Sequence, residues 1–294
     1  MGNFKFITLN VGRNKSLPGL RKIFENKKVD VCFLQESILS LDELKSFTLG
    51  WGVDVAVNYN GKFGLALMWR SYLPVVGVTN IVEGRAMVAS LGDYTLLNIY
   101  APAGSNKKGE REAFFGREIF RFFRSRPLDS FIFGGDFNSV LKKVDIRGGV
   151  GYLYKKSNAL SNLVAFGELG DALRFWNPGA RVFTFFRPGM AFSRLDRFYL
   201  SKDLLNNIVG VEHFSSLSDH CVVFMELDLD LDNPRPRRQL RKTYWKLNNA
   251  IVKDKAFVDS FSRFWKDCVG MKDDFVSVDE WWDVCAKPEL KLFV

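Results

Sequence analysis

The stretch Phe131–Asn138, FIFGGDFN, is an apolar run that ends in two glycines and two polar side chains. Short apolar runs bounded by turn-forming residues are typical of strands buried in a sheet. A polar group at the end of such a strand stands at the rim of the sheet, where loops rather than core packing decide residue identity. Asp136 and Asn138 are therefore candidate functional residues.

Other apolar runs of the chain end in the same way. Asn10 ends TLN, Glu36 ends VCFLQE and Tyr100 ends LLNIY, while Asp219 and His220 precede the last strand-like run. Each placement alone has a structural explanation, because Asn and Asp favour turns, Glu can cap a helix and a single histidine usually forms structural hydrogen bonds. The repetition of the pattern favours one cleft at a common rim instead.

The periodicity of the whole chain predicts the fold class. Strand-like runs outnumber the helical runs at 17–28, 110–123 and 157–168, and short turns separate many of them. This favours an α/β fold in which a two-sheet sandwich is flanked by helices, rather than a doubly wound parallel sheet. The predicted strands are 4–11, 29–34, 53–57, 64–69, 86–91, 94–100, 130–133, 182–186, 195–200 and 222–231.

Bulk composition favours a folded protein with a polyanionic partner. Hydrophobic residues make up 47% of the chain, yet no apolar run reaches the roughly 18 residues that a membrane-spanning helix needs. A strand-like segment, and no secretory hydrophobic region, follows the amino terminus. The net charge of +9 suits a polyanion, because each neutralised phosphate releases counterions. We therefore expect no membrane partner and no secretion.

The cysteine and histidine content limits the kind of metal site. The chain has 4 cysteines, without CxxC spacing, and 2 histidines. A zinc site is therefore disfavoured, and a metal site has to rest on oxygen ligands. Oxygen ligands select hard cations such as Mg²⁺ or Mn²⁺.

The composition changes after Asp232. The segment 233–246 contains two prolines and several arginines but no acidic residue, which is typical of a linker. Beyond it, Phe257, Phe261 and Trp265 recur at helical spacing, which predicts an amphipathic helix. We expect a main domain over 1–231 and a basic linker with a helical segment over 232–294.

Four sequence blocks carry a resemblance to a known family. LQE (34–36), GDFN (135–138), SRLDR (193–197) and SDH (218–220) occur in this order. Together they resemble the endonuclease/exonuclease/phosphatase superfamily. FSRLDRFYLS (192–201) and YWKLN (244–248) resemble more narrowly the apurinic-type endonuclease domain of non-LTR (long interspersed element) retrotransposon polyproteins. This implies an endonuclease domain over 1–231, and a segment over 232–294 that leads towards a reverse transcriptase domain absent from this chain.

The resemblance also implies the metal ligands. Glu36 would be the principal ligand of Mg²⁺, for which Mn²⁺ substitutes, with Asn10 close by and Asp219 as a second ligand. Members of the apurinic type often carry an acidic or amide residue where this chain has Gly12, and an Asn where it has Ala103. The first departure weakens the case for a second metal, and the second removes a phosphate contact.

The remaining catalytic roles are likewise implied by the resemblance. Asp136 would orient or deprotonate the attacking water, and Asn138 would hold the same site. His220 would contact the phosphate oxygen that gains charge, and Asp196 would fix the tautomer of that histidine. Tyr100 would donate a hydrogen bond to the phosphate or the leaving group.

Contacts to DNA are predicted from a hairpin loop. The segment 184–190 has the composition of such a loop, and in the retrotransposon branch this region probes the DNA groove. Thr184 and Arg187 in this loop are candidate DNA-binding residues, as are Arg194 beyond the loop and Arg147 in a second, flexible loop. A solvated arginine is the alternative at each arginine position.

The function implied is a metal-dependent endonuclease that nicks one strand of double-stranded DNA. The 3′-hydroxyl left behind would prime target-primed reverse transcription. The basic linker would bind the element RNA, or it would serve only as a solvated connector. A chromosomal target implies action in the nucleus after synthesis in the cytoplasm. Two alternatives stay open: an enzyme of the same fold that acts on phosphoinositides or phospholipids, and a catalytically dead nucleic-acid-binding module.

Overall fold

The computed structural model describes residues 2–13, 17, 19–62, 64–125, 130–147, 156–186, 192–216, 218–231, 254–275, 277–287 and 290. The chain divides into two compact units, Met1–Arg238 and Gln239–Val294. The linker at 233–246, Arg187, and the loop tip at 187–191 lie outside the described residues.

The first unit contains two six-stranded sheets. The strands of sheet I are β1 (Gly2–Asn10), β2 (Val31–Gln35), β3 (Val53–Tyr59), β4 (Gly64–Arg70), β13 (Ile208–Ser215) and β14 (Cys221–Leu229). Those of sheet II are β5 (Val75–Val82), β6 (Ala86–Leu91), β7 (Tyr94–Tyr100), β8 (Phe131–Asp136), β10 (Leu169–Asp171) and β12 (Asp196–Ser201). A two-stranded ribbon joins β9 (Ile146–Arg147) to β11 (Phe192–Ser193).

Both sheets are mixed, and each has one parallel pair near its centre. Sheet I runs in the order β13-β14-β1-β2-β4-β3, with β1 parallel to β2. Sheet II runs in the order β10-β12-β8-β7-β6-β5, with β7 parallel to β8. The carboxyl ends of two parallel strands meet at one edge of a sheet, so these pairs bring strand-end residues together.

Helices cover the outer faces of both sheets. The helical elements are α1 (Leu20–Asn26), α2 (Leu41–Phe47), α3 (Lys108–Ala113), a π turn (Phe114–Ile119), α4 (Phe120–Arg124), α5 (Asn158–Phe166) and α6 (Ala172–Trp176). Buried residues of α1 and α2 pack on sheet I, and those of the π turn, α4 and α5 pack on sheet II. The predicted sandwich flanked by helices is confirmed.

The core between the sheets explains why the strands are apolar on both faces. Along β1, Phe6 packs between the sheets whereas Ile7 packs under the helices, since successive side chains of a strand point to opposite faces. Gly134 in β8 is required by this packing. A Cβ there would lie 2.4 Å from the Phe198 ring and 2.7 Å from Phe33 of the other sheet. Both glycines of FIFGGDFN are thus strand residues: Gly134 lies where the sheets approach each other, and a Cβ at Gly135 would lie 2.1 Å from the backbone oxygen of Ile99 on the neighbouring strand.

Sequence periodicity missed five strands and placed one wrongly. β9, β10 and β11 are only two or three residues long, and β5 and β13 are edge strands whose residues are mostly half-buried or exposed, so none of the five has a long apolar run. The predicted strand 182–186 is wrong: within it the structure has only isolated bridges, from Phe185 to Ser193 and to His220. Edge strands and bridging loops pair on one side only, so they do not impose the pattern of a buried strand.

The second unit is helical in the part that the structure describes. It contains α7 (Lys255–Gly270) and α8 (Val278–Trp281), followed by a π turn at Trp282–Ala286. The predicted amphipathic helix is confirmed in α7, where Phe257, Phe261 and Trp265 stack along one face. Asp254 caps the start of α7 through a hydrogen bond from the backbone N–H of Phe257.

Candidate active site

Sheet II presents three of the candidate side chains in one row. Tyr100 of β7 is the register partner of Asp136 of β8, and Asp136 is the register partner of Asp196 of β12. Residues opposite each other on neighbouring strands point to the same side of a sheet. The strand ends therefore set a phenol and two carboxylates side by side.

Sheet I adds Asn10 and Glu36 from the ends of its parallel strands. The side-chain amide of Asn10 donates to Oε1 of Glu36 at 3.1 Å and to Oδ2 of Asp136 at 2.9 Å, while its carbonyl accepts from the backbone N–H of Gly12. The Tyr100 hydroxyl donates to the same Oε1 at 2.8 Å. Asn10 thus links the two sheets, and its amide oxygen points away from the carboxylates.

Asn138 holds Asp136 from the other side. Its backbone N–H donates to Oδ1 of Asp136 at 2.9 Å, and its side-chain amide donates to Oδ2 at 3.1 Å. The same amide donates to the backbone carbonyl of Ala101 at 3.0 Å. Asn138 adopts φ 44°, a left-handed conformation that Asn tolerates better than most residues. The predicted shared role of Asp136 and Asn138 at one site fits this geometry.

His220 completes the cluster. Its Nδ1 lies 2.8 Å from Oδ2 of Asp196, and both side chains are buried. The ring packs at 5.0 Å between centroids against Phe185, which the sequence reasoning did not select. Ser218 ties the preceding loop to sheet I through a 2.7 Å hydrogen bond from its hydroxyl to the backbone carbonyl of Asn10.

Burial and mutual charge displace two pKa values in this cluster. Burial raises the pKa of Asp136 to about 6, and the nearby carboxylate of Asp196 acts in the same direction, against the opposing effect of His220. Burial alone would lower the pKa of His220, but Asp196 and Asp136 raise it to about 9. At neutral pH the site therefore holds an imidazolium beside an ionised Asp136.

The structure corrects the role predicted for Thr184. Its side chain is fully buried, and its Oγ1 accepts hydrogen bonds from the backbone N–H of Leu195 at 2.9 Å and of Asp196 at 3.0 Å. A buried hydroxyl that carries two internal hydrogen bonds does not reach DNA. The next residue, Phe185, bridges both Ser193 and His220. The base of the predicted hairpin loop thus supports the histidine and its partner carboxylate.

Arg194 is a second correction. It is 1% exposed, and it donates to Asp145 at 2.8 Å and to Asp171 at 3.0 Å. Arg174 joins the same network through Asp145. The predicted DNA contact at Arg194 is wrong, because a guanidinium held between two carboxylates is not available to a phosphate. No periodicity marks this role, since its acidic partners are distant in sequence.

Arg147 remains a candidate for DNA contact. It is exposed at the end of β9 and pairs in register with Phe192 of β11, whose ring lies 5.4 Å from that of Phe186. Phe186 donates its backbone N–H to the carbonyl of Asp219, next to His220. Arg147 therefore lies on a ribbon that leads directly to the cluster.

The oxygen atoms of the site fit a hard divalent cation. Glu36 is 22% exposed, and its Oε1 takes the hydrogen bonds from Asn10 and Tyr100. Its Oε2 faces Arg13, whose Nε lies 4.0 Å away. Asp219 is exposed beside Gly12, where a Cβ would lie 3.9 Å from its Oδ1. A solvent-accessible carboxylate oxygen at the mouth of the site is the ligand that Mg²⁺ prefers.

A second group of ligand atoms lies deeper. Asp136, Asp196 and His220 each offer one atom within 4.8 Å of the others. Asp196 engages Nδ1 of His220, and Asp196 and Asp136 raise the pKa of the imidazole. A ligating histidine is neutral, so in this protonation state the ring suits a phosphate oxygen better than a cation. We therefore describe this group as an imidazolium held between carboxylates.

Buried polar residues beneath the site form a chain that sequence reasoning missed. Thr8 donates to Gln35 at 3.1 Å, and Gln35 donates to Asn98 of the other sheet at 2.8 Å. Asn98 in turn donates to the backbone carbonyls of Leu34 and Ala66. All three side chains are buried. The available signal was a polar residue inside an apolar strand, as in VCFLQ and LLNIY.

Comparison with known proteins agrees with this fold and site. The Endonuclease/Exonuclease/phosphatase family model matches residues 7–220, so the chain belongs to that family. The fold also resembles those of the AP endonuclease LMAP of Leishmania major (TM-score 0.67, 19% identity, 78% of this chain and 88% of that one) and an AP endonuclease of Archaeoglobus fulgidus (TM-score 0.67, 17% identity, 77% and 100%). A third similar structure is the 3′ phosphatase NExo of Neisseria bound to product DNA hairpin (TM-score 0.65, 20% identity, 77% and 100%).

A curated relative comes from a transposon. The chain is 28% identical over 275 residues to the Transposon TX1 uncharacterized 149 kDa protein of Xenopus laevis. The aligned region covers 89% of this chain and 20% of the relative. The chain thus spans about a fifth of that protein's length. The resemblance drawn from the sequence blocks to the family is confirmed, and the transposon relative agrees with the narrower resemblance to the retrotransposon branch. None of the helices that the structure describes is long and apolar enough to cross a membrane.

Proposed function

We propose that this domain is a divalent-metal-dependent endonuclease that nicks one strand of double-stranded DNA. The observation that carries the proposal is the convergence of Asp136, Asn10, Glu36 and the His220–Asp196 pair at one rim of the two sheets. This set supplies what phosphodiester hydrolysis requires, namely a base for water and a cationic group for the phosphate.

Asp136 is proposed as the group that orients and deprotonates the attacking water. It is buried, and Asn10 and Asn138 hold its carboxylate by hydrogen bonds from two sides. Its pKa of about 6 leaves it ionised at neutral pH yet more basic than an ordinary aspartate. A base with a pKa close to the working pH accepts a proton more effectively.

His220 is proposed as the cationic partner of the phosphate. Asp196 orients the ring from the Nδ1 side, so Nε2–H is the atom directed to a phosphate oxygen. Tyr100 donates from the neighbouring strand and is proposed to hold the phosphate or the leaving group. Removal of a single group that stabilises developing charge costs about 10² to 10³ in rate.

The cation is proposed to be Mg²⁺, for which Mn²⁺ substitutes. Glu36 would hold it, with Asp219 as a second ligand on the rim. When bound, the cation supplies positive charge that stabilises the phosphorus centre and the leaving oxygen. Oxygen ligands without cysteine favour this class of ion over zinc.

The cellular setting is proposed from the transposon relative. The nick would leave a 3′-hydroxyl that primes reverse transcription by a reverse transcriptase domain in the full-length polyprotein. The basic segment over 232–294 would bind element RNA and join the two domains. Because the DNA target is chromosomal, the domain would act in the nucleus after synthesis in the cytoplasm.

The test is a nicking assay on supercoiled plasmid with magnesium. We expect open circles, and we expect none with EDTA or with the His220→Ala variant. His213→Ala, which removes the other histidine of the chain, is the matched control and should still nick. Extension of the nicks by a polymerase, without phosphatase treatment, tests for the 3′-hydroxyl.

The substrates separate the proposal from its alternatives. Intact duplex and duplex with one abasic site distinguish a general nicking enzyme from one that requires damage. Intact plasmid in every reaction, together with retained binding in a shift assay, would refute the endonuclease. Release of phosphate from inositol phosphates by a protein that leaves DNA intact would replace the proposal with the phosphatase alternative.

A further inference from the structure

Arg85 is a buried arginine beside the active site that no motif marks. It lies in the turn just before β6, with 8% of its surface exposed. Its guanidinium lies over the ring of Tyr100, 4.6 Å from the ring centroid. A cation at this distance from an aromatic face interacts with the ring electrostatically, and more strongly where water is excluded.

Arg85 also contacts the backbone at the end of β7. Its Nη1 donates to the carbonyl of Tyr100 at 3.2 Å and to that of Ala101 at 3.4 Å. The Ala101 carbonyl is the group that also accepts from Asn138, the residue that holds Asp136. One guanidinium thus contacts both the ring and the backbone of Tyr100. It also donates to the same carbonyl as Asn138, which holds Asp136.

The turn that presents Arg85 is anchored from the other sheet. Asn58 of β3 is fully buried, and its amide donates to the carbonyls of Val82 and Ala86 at 2.9 Å each. Its carbonyl accepts from the backbone N–H of Gly84 at 2.6 Å. These three bonds fix the turn on both sides of Arg85, so the guanidinium is held in place over the ring.

The phenol of Tyr100 needs such support. Its hydroxyl donates to Glu36 at 2.8 Å, and Asp136 lies on the neighbouring strand. A cation over the ring draws electron density from the hydroxyl and strengthens it as a hydrogen-bond donor.

We propose that Arg85 is a positioning residue that orients Tyr100 and polarises its hydroxyl towards the reaction site. It acts through Tyr100 and does not itself contact the substrate. The expected change in kcat rests on the proposed function, because it is measured on DNA nicking. The contact between guanidinium and phenol is open to measurement without any substrate.

The first experiment observes the phenol directly. Protein labelled with ¹³C at tyrosine Cζ contains 8 such carbons, and the resonance lost in Tyr100→Phe identifies the one of interest. We expect Arg85→Met to shift that resonance, and Arg85→Lys to restore part of the shift. Arg70→Met is the matched control, since Arg70 also lies over a ring, that of Phe24, and donates to backbone carbonyls.

The second experiment is a double-mutant cycle on nicking by the magnesium-loaded protein. We expect Arg85→Met to lower kcat about 10-fold with little change in KM, and to lower it less than about 2-fold when Tyr100 is already Phe. Arg70→Met should lower the melting temperature but leave kcat unchanged. A purely structural role for Arg85 would give additive losses in the cycle.

The outcomes separate the two proposals. A Tyr100 resonance that does not move in Arg85→Met, or losses that add in the cycle, would overturn the role of Arg85. A wild-type protein that does not nick DNA but whose Tyr100 resonance responds to Arg85→Met would refute the endonuclease and leave the positioning role standing.

Discussion

His220 and Asp196 form a buried pair in which Nδ1 of the imidazole lies 2.8 Å from Oδ2 of the carboxylate. Asp196 belongs to sheet II, whereas His220 precedes β14 of sheet I, so the pair joins the two halves of the sandwich. The carboxylate raises the pKa of the imidazole to about 9, although burial opposes this. The charge on His220 thus depends on a residue 24 positions away in the chain.

The pH dependence of nicking should be bell-shaped. Asp136 must be ionised to act as a base, and its pKa of about 6 sets the acid limb. His220 must be protonated, so activity falls as the pH rises through about 9. The measurement is kcat/KM against pH at fixed magnesium. A profile that still rises above pH 9 would contradict the role of the imidazolium.

Replacement of Asp196 by Asn should move both limbs, because its carboxylate raises the pKa of Asp136 as well as that of His220. Without the carboxylate, burial pulls the pKa of His220 back towards or below its ordinary value of 6.5, and the alkaline limb shifts to lower pH. The maximal rate should also fall, by about 10² or more, because the ring loses its orienting partner. An unshifted alkaline limb in Asp196→Asn would assign that limb to another group.

Asp136→Asn should abolish nicking and raise thermal stability at neutral pH. The pKa of Asp136 is about 6 in the fold against an ordinary value of 3.8, so the fold favours the protonated carboxyl. That contribution is fully present below pH 3.8 and is lost as the pH rises through about 6. Asn mimics the protonated form at every pH. The melting temperature of the variant should exceed that of the wild type increasingly between pH 4 and 6.

Arg194→Met should destabilise the fold and not specifically weaken DNA binding. The change leaves the buried Asp145 and the half-buried Asp171 with less compensating charge, and loss of one partner from a buried ion pair costs about 3–5 kcal/mol. Denaturant unfolding measures this loss. If Arg194→Met leaves the stability unchanged but weakens DNA binding, the direct DNA contact predicted from sequence for Arg194 would be correct after all.

Arg147→Ala should weaken DNA binding without destabilising the fold. Arg147 is exposed on the β9–β11 ribbon, so the free energy of unfolding should change little. If it contacts one phosphate, the slope of log K against log salt should decrease by about 1. Lys202→Ala is the control, since Lys202 is also exposed but pairs with Glu168. An unchanged slope in Arg147→Ala would remove it from the interface.

The fold class was predictable because it follows from local pattern. Buried strands such as β2 and β8 have continuous apolar sequences, and the buried faces of α1 and α5 repeat with helical spacing. The same reasoning missed β5 and β13. These strands lie at the edges of their sheets, where half of the environment is solvent and the apolar pattern fades.

The members of the site were also predictable from sequence, because polar residues at the ends of apolar strands are conspicuous. The role of each member was less predictable. Asn10 serves as the donor that links Glu36 to Asp136, and Thr184 and Arg194 support the site from buried positions. Whether a polar side chain faces DNA or a buried partner depends on contacts between residues far apart in sequence.

The sequence by itself determined the two-sheet architecture, the family and the set of polar residues at the strand ends, because apolar periodicity and short motifs are local properties. Only the tertiary structure decided the register of Tyr100, Asp136 and Asp196, the charge on His220 and the buried position of Arg85. The physical reason is that pKa values, ion pairs and cation–π contacts depend on distance and burial. Those quantities arise only when strands remote in sequence pack together.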